Sequence, residues 1–385
     1  MPIYHQLGQI PPKRHQVFRQ PSGALYVEEL MGNLGFHGPS SLLYHLHAPT
    51  AVRAVRHVAD LHWQKAPEQP LRHRHFRTRL LDRPGSAIMD RIPVLFNHQV
   101  TISLVCPGED LTVFYRNSQG DEIVYVSEGE GVLESAFGKI PFRSGDYLVI
   151  PRGVLHTYRF ADQPRKLLII ESGGYVRTPK RYRNEFGQLL EIAPYCERDI
   201  RRPVDLETHD EKGEFPVWVK KNNQLTELTL SHHPFDVVGW DGYYYPWAIS
   251  IHAFEPRVGR FHLPPPVHQM FEGDGFVVCS FCPRPYDFDP QAVPAPYNHS
   301  NVMSDEVLYY ANAEFMSRSG IEYGSITLHP DGLAHGPQPG RTEQSIGKKE
   351  TQELAVMIDT FHPLHVAAAA LPAEDVNYYL SWRSE

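Results

Sequence analysis

The sequence lacks the features that would place this protein in a membrane, in a disulfide-stabilised scaffold or on nucleic acid. No uninterrupted apolar run reaches the ~18 residues that a membrane-spanning helix needs, and no secretory signal precedes the first strand-like segment. Only four of the 385 residues are cysteines, too few for a disulfide framework. The formal net charge of −8 argues against a surface that binds nucleic acid or an anionic membrane. We therefore expect a cytoplasmic protein that binds neither membrane nor nucleic acid.

Long helix-forming stretches are also scarce, because 34 prolines and 28 glycines are spread along the chain. Between them lie short runs rich in Val, Ile, Tyr and Phe, for example at residues 100–105, 147–150 and 354–358. Many short strands separated by turn signals are typical of a β-sandwich or barrel. We predict an all-β protein with long loops and short helices, one helix near residues 48–63 and another near the C-terminus.

One stretch of sequence occurs twice and indicates the fold. The first copy reads DEIVYV from residue 121 and continues into G-x5-P-x-G-x2-H, which ends at His156; the second reads DEVLYY from residue 305, and the same pattern ends at His335. A glutamate at a strand start followed by this pattern resembles the signature of cupins, which are small double-sheet jelly rolls. We predict two cupin modules, one over residues 1–230 and one over residues 231–385.

The first copy lacks a full set of metal ligands. It keeps Glu122 and His156, but seven residues before the glutamate it has Tyr115. Two ligands rarely hold a transition metal against water and competing chelators. We therefore predict that the N-terminal barrel has a structural role and a degenerate metal site.

The second copy offers His299, Glu306 and His335. Two imidazoles and one carboxylate on one side of an ion leave the opposite positions open, an arrangement typical of non-heme Fe(II) in oxygen chemistry. The alternative is a second barrel without metal. Asp305 competes with Glu306 for the carboxylate role, but Glu306 aligns with Glu122 of the first copy. Since adjacent side chains on a strand point to opposite faces, only one of the two acids is expected to reach the metal.

Three segments carry a resemblance to a known family. They are PFDVVGWDG at residues 234–242, PYNHSNVMS at residues 296–304 and a stretch that contains His329 and His335, with a weaker echo at residues 25–32. These segments resemble those of homogentisate 1,2-dioxygenases. The resemblance implies an enzyme that uses Fe(II) and O₂ to cleave homogentisate to maleylacetoacetate, in tyrosine and phenylalanine catabolism. It also implies a homo-oligomer, either trimer or hexamer.

The resemblance also implies roles for individual residues. The metal ligands fall on His299, Glu306 and His335, although the family usually spaces its first His and Glu one residue closer, which would select Asp305. The catalytic base falls on His262 or His268, in a proline-rich loop. The implied substrate contacts are Tyr297, Phe315, Arg318 and His329. His329 could instead support a ligand from behind, and Arg318 could instead be a surface residue.

Two other functions remain open at the level of sequence. Phe315 stands where the family has a tyrosine near the substrate, so the substrate could be a related hydroxylated aromatic acid such as a gentisate-like compound. A protein with two cupin modules could also be an isomerase, or a non-catalytic protein that binds a small molecule. We expect a small aromatic acid and O₂ as the partners of the site.

Overall fold

The computed structural model, which describes residues 3–161 and 163–383, consists mainly of β-strands joined by loops and confirms the all-β prediction. The strands of the first half are, in chain order, β1 (His5–Gly8), β2 (Val27–Leu34), β3 (His37–His45), β4 (Val52–Asp60), β5 (Arg74–Arg77), β6 (Pro84–Gly85), β7 (Ile92–Phe96), β8 (Val100–Pro107), β9 (Phe114–Asn117), β10 (Asp121–Glu128), β11 (Glu130–Ser135), β12 (Gly138–Arg143), β13 (Asp146–Ile150), β14 (His156–Phe160) and β15 (Lys166–Ser172).

The second half continues the series with fewer and shorter strands. They are β16 (Lys212–Lys221), β17 (Gln224–His232), β18 (Val237–Gly242), β19 (Trp247–Ser250), β20 (Gln269–Gly273), β21 (Phe276–Phe281), β22 (Arg284–Pro285), β23 (Asp305–Tyr310), β24 (Ser325–His329), β25 (Glu350–Thr351), β26 (Ala355–Thr360) and β27 (His365–Val366). Helical segments are short: α1 (Arg341–Ser345) and 3₁₀ turns at Thr78–Leu81, Lys180–Tyr182, Glu197–Asp199, Ile251–Ala253, Pro265–His268, Ala368–Ala373 and Tyr378–Trp382. None of the described helices is both long and apolar enough to span a bilayer.

The first repeat lies in a barrel of two large sheets. One sheet has the order β19-β13-β10-β15-β8-β7-β27, with β6 beside β8, and the other has the order β12-β11-β14-β9-β16-β17-β4. The inner strands β10, β13 and β15 are buried along their whole length apart from the last two residues of β10. Burial along the whole length of a strand is expected where both faces of a sheet are covered.

The second repeat lies in a six-stranded sheet with the order β20-β21-β26-β23-β24-β5. Its edge strand β5 comes from the first half of the chain, whereas β18, β19 and β27 of the second half pair with strands of the first half. Strands from both sides of residue 230 therefore share sheets. The division of the chain at that residue stays a prediction.

The predicted helix near residues 48–63 is wrong. This segment contains β4, which pairs antiparallel with β17. The guanidinium of Arg56 donates two hydrogen bonds of 2.7 Å to the carboxylate of Glu227 on the neighbouring strand. Pairing across the sheet outweighs the local helical preference, as tertiary context commonly does. Near the C-terminus the helical segments are 3₁₀ turns.

Candidate metal centre

The two copies of the repeat occupy the same register in their sheets. Glu122 lies opposite Ile150 on one side and Glu171 on the other, and Glu306 lies opposite His329 and Asp359 in the same way. The internal alignment of Glu306 with Glu122 is therefore reproduced by the strand pairing.

A turn that contains a glycine determines the position of the histidine at the end of each motif. Gly153 and Gly332 have φ of 81° and 75°, which L side chains rarely adopt. Beyond this turn the backbone of His156 pairs with Tyr115, and that of His335 pairs with His299 through hydrogen bonds of 2.8 and 2.9 Å. The turn thus brings the last histidine of the motif beside the residue seven positions before the glutamate.

His299, Glu306 and His335 form a cluster in the second barrel. Each offers one ligand atom, and these atoms all lie within 4.8 Å of one another, the only such group of three or more found among the described residues. The Nδ1 atoms of His299 and His335 lie 3.2 and 3.3 Å from the backbone carbonyls of Tyr297 and Leu333. Donation from Nδ1–H to these carbonyls leaves each Nε2 unprotonated and free to bind a cation.

The cluster has the donors and the unmet bonding capacity that suit a divalent metal. The Nε2 atom of His335 is buried and makes no hydrogen bond within the described residues, although Glu306 Oε2 lies 3.4 Å away. His299 Nε2 lies 3.7 Å from the same oxygen. Three converging donors, one of them anionic, fit a facial site of two histidines and one carboxylate.

The electrostatics of the cluster favour an ionised glutamate. Burial alone would raise the pKa of Glu306, but the close imidazoles of His299, His329 and His335 outweigh it and hold the pKa well below its ordinary value. The carboxylate of Glu306 in turn raises the pKa of His299. An ionised carboxylate is the protonation state that a metal ligand requires.

His329 holds Glu306 from behind. Its side chain is fully buried, and its Nδ1–H donates a 2.7 Å hydrogen bond to Glu306 Oε1. On its other side, Nε2 lies 3.4 Å from the hydroxyl of Tyr378 and 3.5 Å from Nη2 of Arg318. Burial, followed by the charge of Arg318, lowers the pKa of His329 to about 3, so the imidazole is neutral. His329 does not line the cavity described below.

Asp305 points away from the cluster. Its Oδ1 accepts a 2.8 Å hydrogen bond from the backbone N–H of Asp331, and its Oδ2 accepts one of 2.7 Å from Leu364. Asp121 of the first copy accepts equivalent bonds, both of 2.9 Å, from Arg152 and Val176. The aspartate of each repeat therefore accepts hydrogen bonds from the backbone of two loops, and the glutamate that follows it faces the barrel interior.

In the first barrel an arginine lies against the equivalent glutamate. Arg91 donates hydrogen bonds of 2.8 and 2.9 Å to the two oxygens of Glu122, which also accepts bonds from the Tyr115 hydroxyl and the Asn117 amide. Burial would raise the pKa of Glu122, but the charge of Arg91 outweighs it and lowers the pKa. The guanidinium thus supplies the positive charge that a metal would supply in a site with more ligands.

A cavity of about 450 Å³ adjoins the candidate metal centre. Its polar wall includes His299 and Glu306, and the rest is largely apolar and aromatic. Five further sequence-predicted residues line it: His262, His268, Tyr297, Phe315 and Arg318. A mostly apolar cleft with a few polar groups is typical of a site for a small aromatic molecule.

Arg318 is a buried residue and not a surface one. Its side chain lies against the ring of Trp382, with 5.2 Å between Cζ and the ring centroid, and Nη1 donates a 2.6 Å hydrogen bond to the carbonyl of Gly336. Its Nε is buried without a hydrogen-bond partner among the described residues. A fixed cation therefore lies beside the cavity.

The two candidate bases have different surroundings. Nδ1 of His262 lies 3.5 Å from Oδ2 of Asp287, and its ring packs edge-on against Tyr297. The ring of His268 stacks on Phe281 at 4.6 Å between centroids, and its Nδ1 has no hydrogen-bond partner in the described chain. Burial lowers the pKa of His268 to about 3.

The cavity wall also contains charged residues that sequence reasoning missed. Arg284 donates a 2.7 Å hydrogen bond to the buried carboxylate of Glu353. Asp359 lies opposite Glu306, and burial together with the Glu306 charge raises its pKa. One sequence signal could have located Asp359, because LIIES at residues 168–172 and VMIDT at residues 356–360 are a further pair of equivalent repeat segments.

Sequence comparisons relate the chain to proteins named as dioxygenases. Residues 89–251 match the family described as "Homogentisate 1,2-dioxygenase N-terminal". The chain is similar to a protein of Saccharolobus solfataricus named "Putative dioxygenase SSO1533", at 43% identity over 99% of each chain. It is also similar to the homogentisate 1,2-dioxygenase of Bradyrhizobium diazoefficiens, at 28% identity over 70% of this chain.

The similarity to homogentisate 1,2-dioxygenases covers only part of those enzymes. It spans 62% of the Bradyrhizobium protein and 54% of the one from Emericella nidulans, which is 28% identical over 61% of this chain. Among solved structures, a cupin 2 conserved barrel domain protein from Leptotrichia buccalis matches 79% of this chain and 100% of its own, with 11% identity and a TM-score of 0.35.

Proposed function

Since the chain belongs to the homogentisate 1,2-dioxygenase family, we propose that it is an Fe(II)-dependent dioxygenase that cleaves the ring of homogentisate to give maleylacetoacetate. The observation that carries the proposal is the cluster of His299, Glu306 and His335, of which His299 and Glu306 line a largely apolar cavity. Both atoms of O₂ enter the product and one carbon–carbon bond of the ring breaks. A homo-oligomer, trimer or hexamer, is part of the proposal.

The proposed metal ligands are His299, Glu306 and His335. Iron, when bound there, supplies the redox chemistry through which an electron-rich ring reacts with O₂. Glu306 contributes the negative charge of the site, and His329 fixes the direction of its carboxylate. The two ligand histidines present Nε2 because their Nδ1 atoms face backbone carbonyls.

The proposed base is His262. Asp287 lies close enough to its Nδ1 to orient the ring and to stabilise the imidazolium that forms when Nε2 takes a proton from a ring hydroxyl. His268 is less suited to this role, because burial holds its pKa at about 3 and its proton affinity is correspondingly low. In this proposal His268 and Phe281 pack against the substrate ring.

The remaining cavity residues bind the substrate. The buried guanidinium of Arg318 is the proposed partner of a carboxylate, since its Nε has no partner among the described residues. Phe315 and Tyr297 supply aromatic contact area. The same chemistry on a gentisate-like acid is the second candidate, favoured by Phe315, which cannot make the hydrogen bond of a tyrosine.

The proposal predicts O₂ uptake that depends on both iron and homogentisate. Protein loaded anaerobically with Fe(II) is expected to consume one O₂ for each molecule of ring-cleaved product when homogentisate and O₂ are added. An oxygen electrode and product analysis measure the two quantities, with gentisate tested in parallel. Iron-loaded protein that consumes O₂ without forming a ring-cleaved product from either acid would contradict the proposal.

His329 is expected to control the affinity for iron. His329→Leu removes the 2.7 Å hydrogen bond to Glu306, and loss of such a support lowers metal affinity by about 10- to 100-fold. Competition with a chelator measures the change. Tyr378→Phe is the matched control, because it removes only the 3.4 Å contact on the far side of the ring, and we expect a smaller effect. Unchanged affinity in folded His329→Leu protein would contradict this role.

A further inference from the structure

Asp359 has an unmet hydrogen-bonding capacity inside the cavity. It lies directly opposite Glu306 on the adjacent antiparallel strand β26, so the two side chains leave the sheet on the same face. Asp359 lines the cavity, and its Oδ1 is buried with no hydrogen-bond partner in the part of the chain that the structure describes. A buried acceptor in this state costs free energy until a donor reaches it.

The first barrel shows how the protein treats the equivalent carboxylate where the glutamate is already paired with an arginine. Glu171 lies opposite Glu122, as Asp359 lies opposite Glu306. Glu171 accepts a 2.5 Å hydrogen bond from Lys220 Nζ and one of 2.8 Å from Gln119 Nε2. The protein supplies both donors in the first barrel, whereas in the second barrel Asp359 lines the cavity and the described residues supply no donor to its Oδ1.

The residues around the cavity indicate what kind of ligand group would donate a hydrogen bond to Asp359. Leu308 and Met357 on the two neighbouring strands present apolar surface, and Phe281 and Phe315 present aromatic rings. Arg318 already carries a positive charge on this cavity. A ligand that fits these residues is a flat ring with a neutral O–H group that donates to Asp359. A positively charged ligand would be repelled by the guanidinium of Arg318 and by a divalent metal.

We propose that Asp359 is a specificity-determining residue that binds a ring hydroxyl of the substrate and so selects dihydroxylated aromatic acids over monohydroxylated ones. This inference rests on the proposed function, since it takes the cavity as the substrate site. It adds a residue that reads the hydroxylation pattern of the ring. A site built to pair with a substrate hydroxyl discriminates strongly against an analogue that lacks it, because its own polar group is then left unpaired.

The test compares ligand binding in variants of the iron-loaded protein under anaerobic conditions. The probes are 2,5-dihydroxyphenylacetate and its two monohydroxylated analogues, 2-hydroxyphenylacetate and 3-hydroxyphenylacetate. The unmodified protein is expected to bind the dihydroxylated acid roughly 10- to 100-fold more tightly than either analogue. Asp359→Leu, of similar size but without polar atoms, is expected to reduce this ratio for one analogue to roughly threefold or less. Iron content measured on each sample shows that the metal site is intact.

Met357→Leu is the matched control. Met357 lies two residues before Asp359 on the same strand, faces the same cavity and has no charge. This variant is expected to keep the preference of the unmodified protein. Asp359→Asn keeps an acceptor oxygen and is expected to retain part of it. A preference that survives in Asp359→Leu, or an unmodified protein without any preference, would overturn the inference.

The outcomes separate this inference from the proposed function. A preference that disappears in Asp359→Leu, in a protein that consumes no O₂, supports the role of Asp359 and contradicts the dioxygenase activity. Ring cleavage together with a preference that persists in Asp359→Leu supports the activity and contradicts the role of Asp359.

Discussion

Glu306→Gln is expected to abolish iron retention, whereas Asp305→Asn is expected to leave it intact. Glu306 provides the negative charge of the cluster and lies within 3.7 Å of both candidate ligand histidines. Because loss of a group that merely supports a ligand already costs about 10- to 100-fold in metal affinity, loss of the carboxylate itself is expected to cost about 100-fold or more. Iron content after gel filtration, measured by atomic absorption, checks the result.

The expected effect of Asp305→Asn is on stability. Asp305 accepts hydrogen bonds from two backbone amides, and an asparagine can keep only one of them as an acceptor. Loss of one of these part-buried hydrogen bonds is expected to cost about 1 kcal/mol in the free energy of unfolding. Glu306→Gln is therefore expected to change the iron content, whereas Asp305→Asn is expected to change the free energy of unfolding. Loss of iron in folded Asp305→Asn protein, with iron kept in Glu306→Gln, would reverse the assignment.

The second large effect is expected in the first barrel, where Arg91→Met removes the partner of a buried carboxylate. Arg91 and Glu122 have side-chain exposures of 7% and 1%, so solvent cannot compensate the charge that remains. Breaking a buried ion pair in this way costs about 3–5 kcal/mol in the free energy of unfolding. Urea unfolding measures the loss, and the iron content of the folded fraction is expected to stay unchanged.

Two further variants show whether the effect arises from the unpaired charge. Arg91→Met combined with Glu122→Gln removes the charge and is expected to recover most of the lost stability, because a neutral replacement of a buried pair is often well tolerated. Arg159→Met breaks a more exposed pair with Glu134 in the same barrel and is expected to cost ~1 kcal/mol or less. A single variant Arg91→Met as stable as the control would show that Glu122 does not depend on the guanidinium.

The repeat explains why so much of the candidate centre was accessible from sequence. A strand start and a Pro-x-Gly turn are patterns of neighbouring residues and can be recognised in a sequence. Because the pattern occurs twice, the two copies can be aligned with each other. The choice of Glu306 over Asp305 depended on nothing more than this, and the structure points the two side chains in opposite directions as the alternation of a strand requires. The family's usual spacing would have selected Asp305, whose two carboxylate oxygens accept backbone hydrogen bonds away from the cluster.

Residues that arrive from distant parts of the chain could not be predicted. Arg91 lies 31 positions before Glu122, and Tyr378 lies 49 positions after His329. Neither belongs to a recognisable motif, since their roles depend on how strands are ordered in space. The strand β4 was mistaken for a helix for the same reason: its partner β17 is remote in sequence. Local sequence patterns predict local geometry, whereas contacts between residues far apart in the sequence become visible only in the folded structure.

The exchange of edge strands ties the two repeats together. Strand β5 closes the sheet of the second repeat beside β24, and β19 extends the sheet of the first repeat beside β13. Either half expressed alone is expected to expose the strand edges at which strands of the other half pair, and exposed edges of this kind promote association with other chains. Neither half is therefore expected to fold as this structure shows it without the strand that the other half contributes.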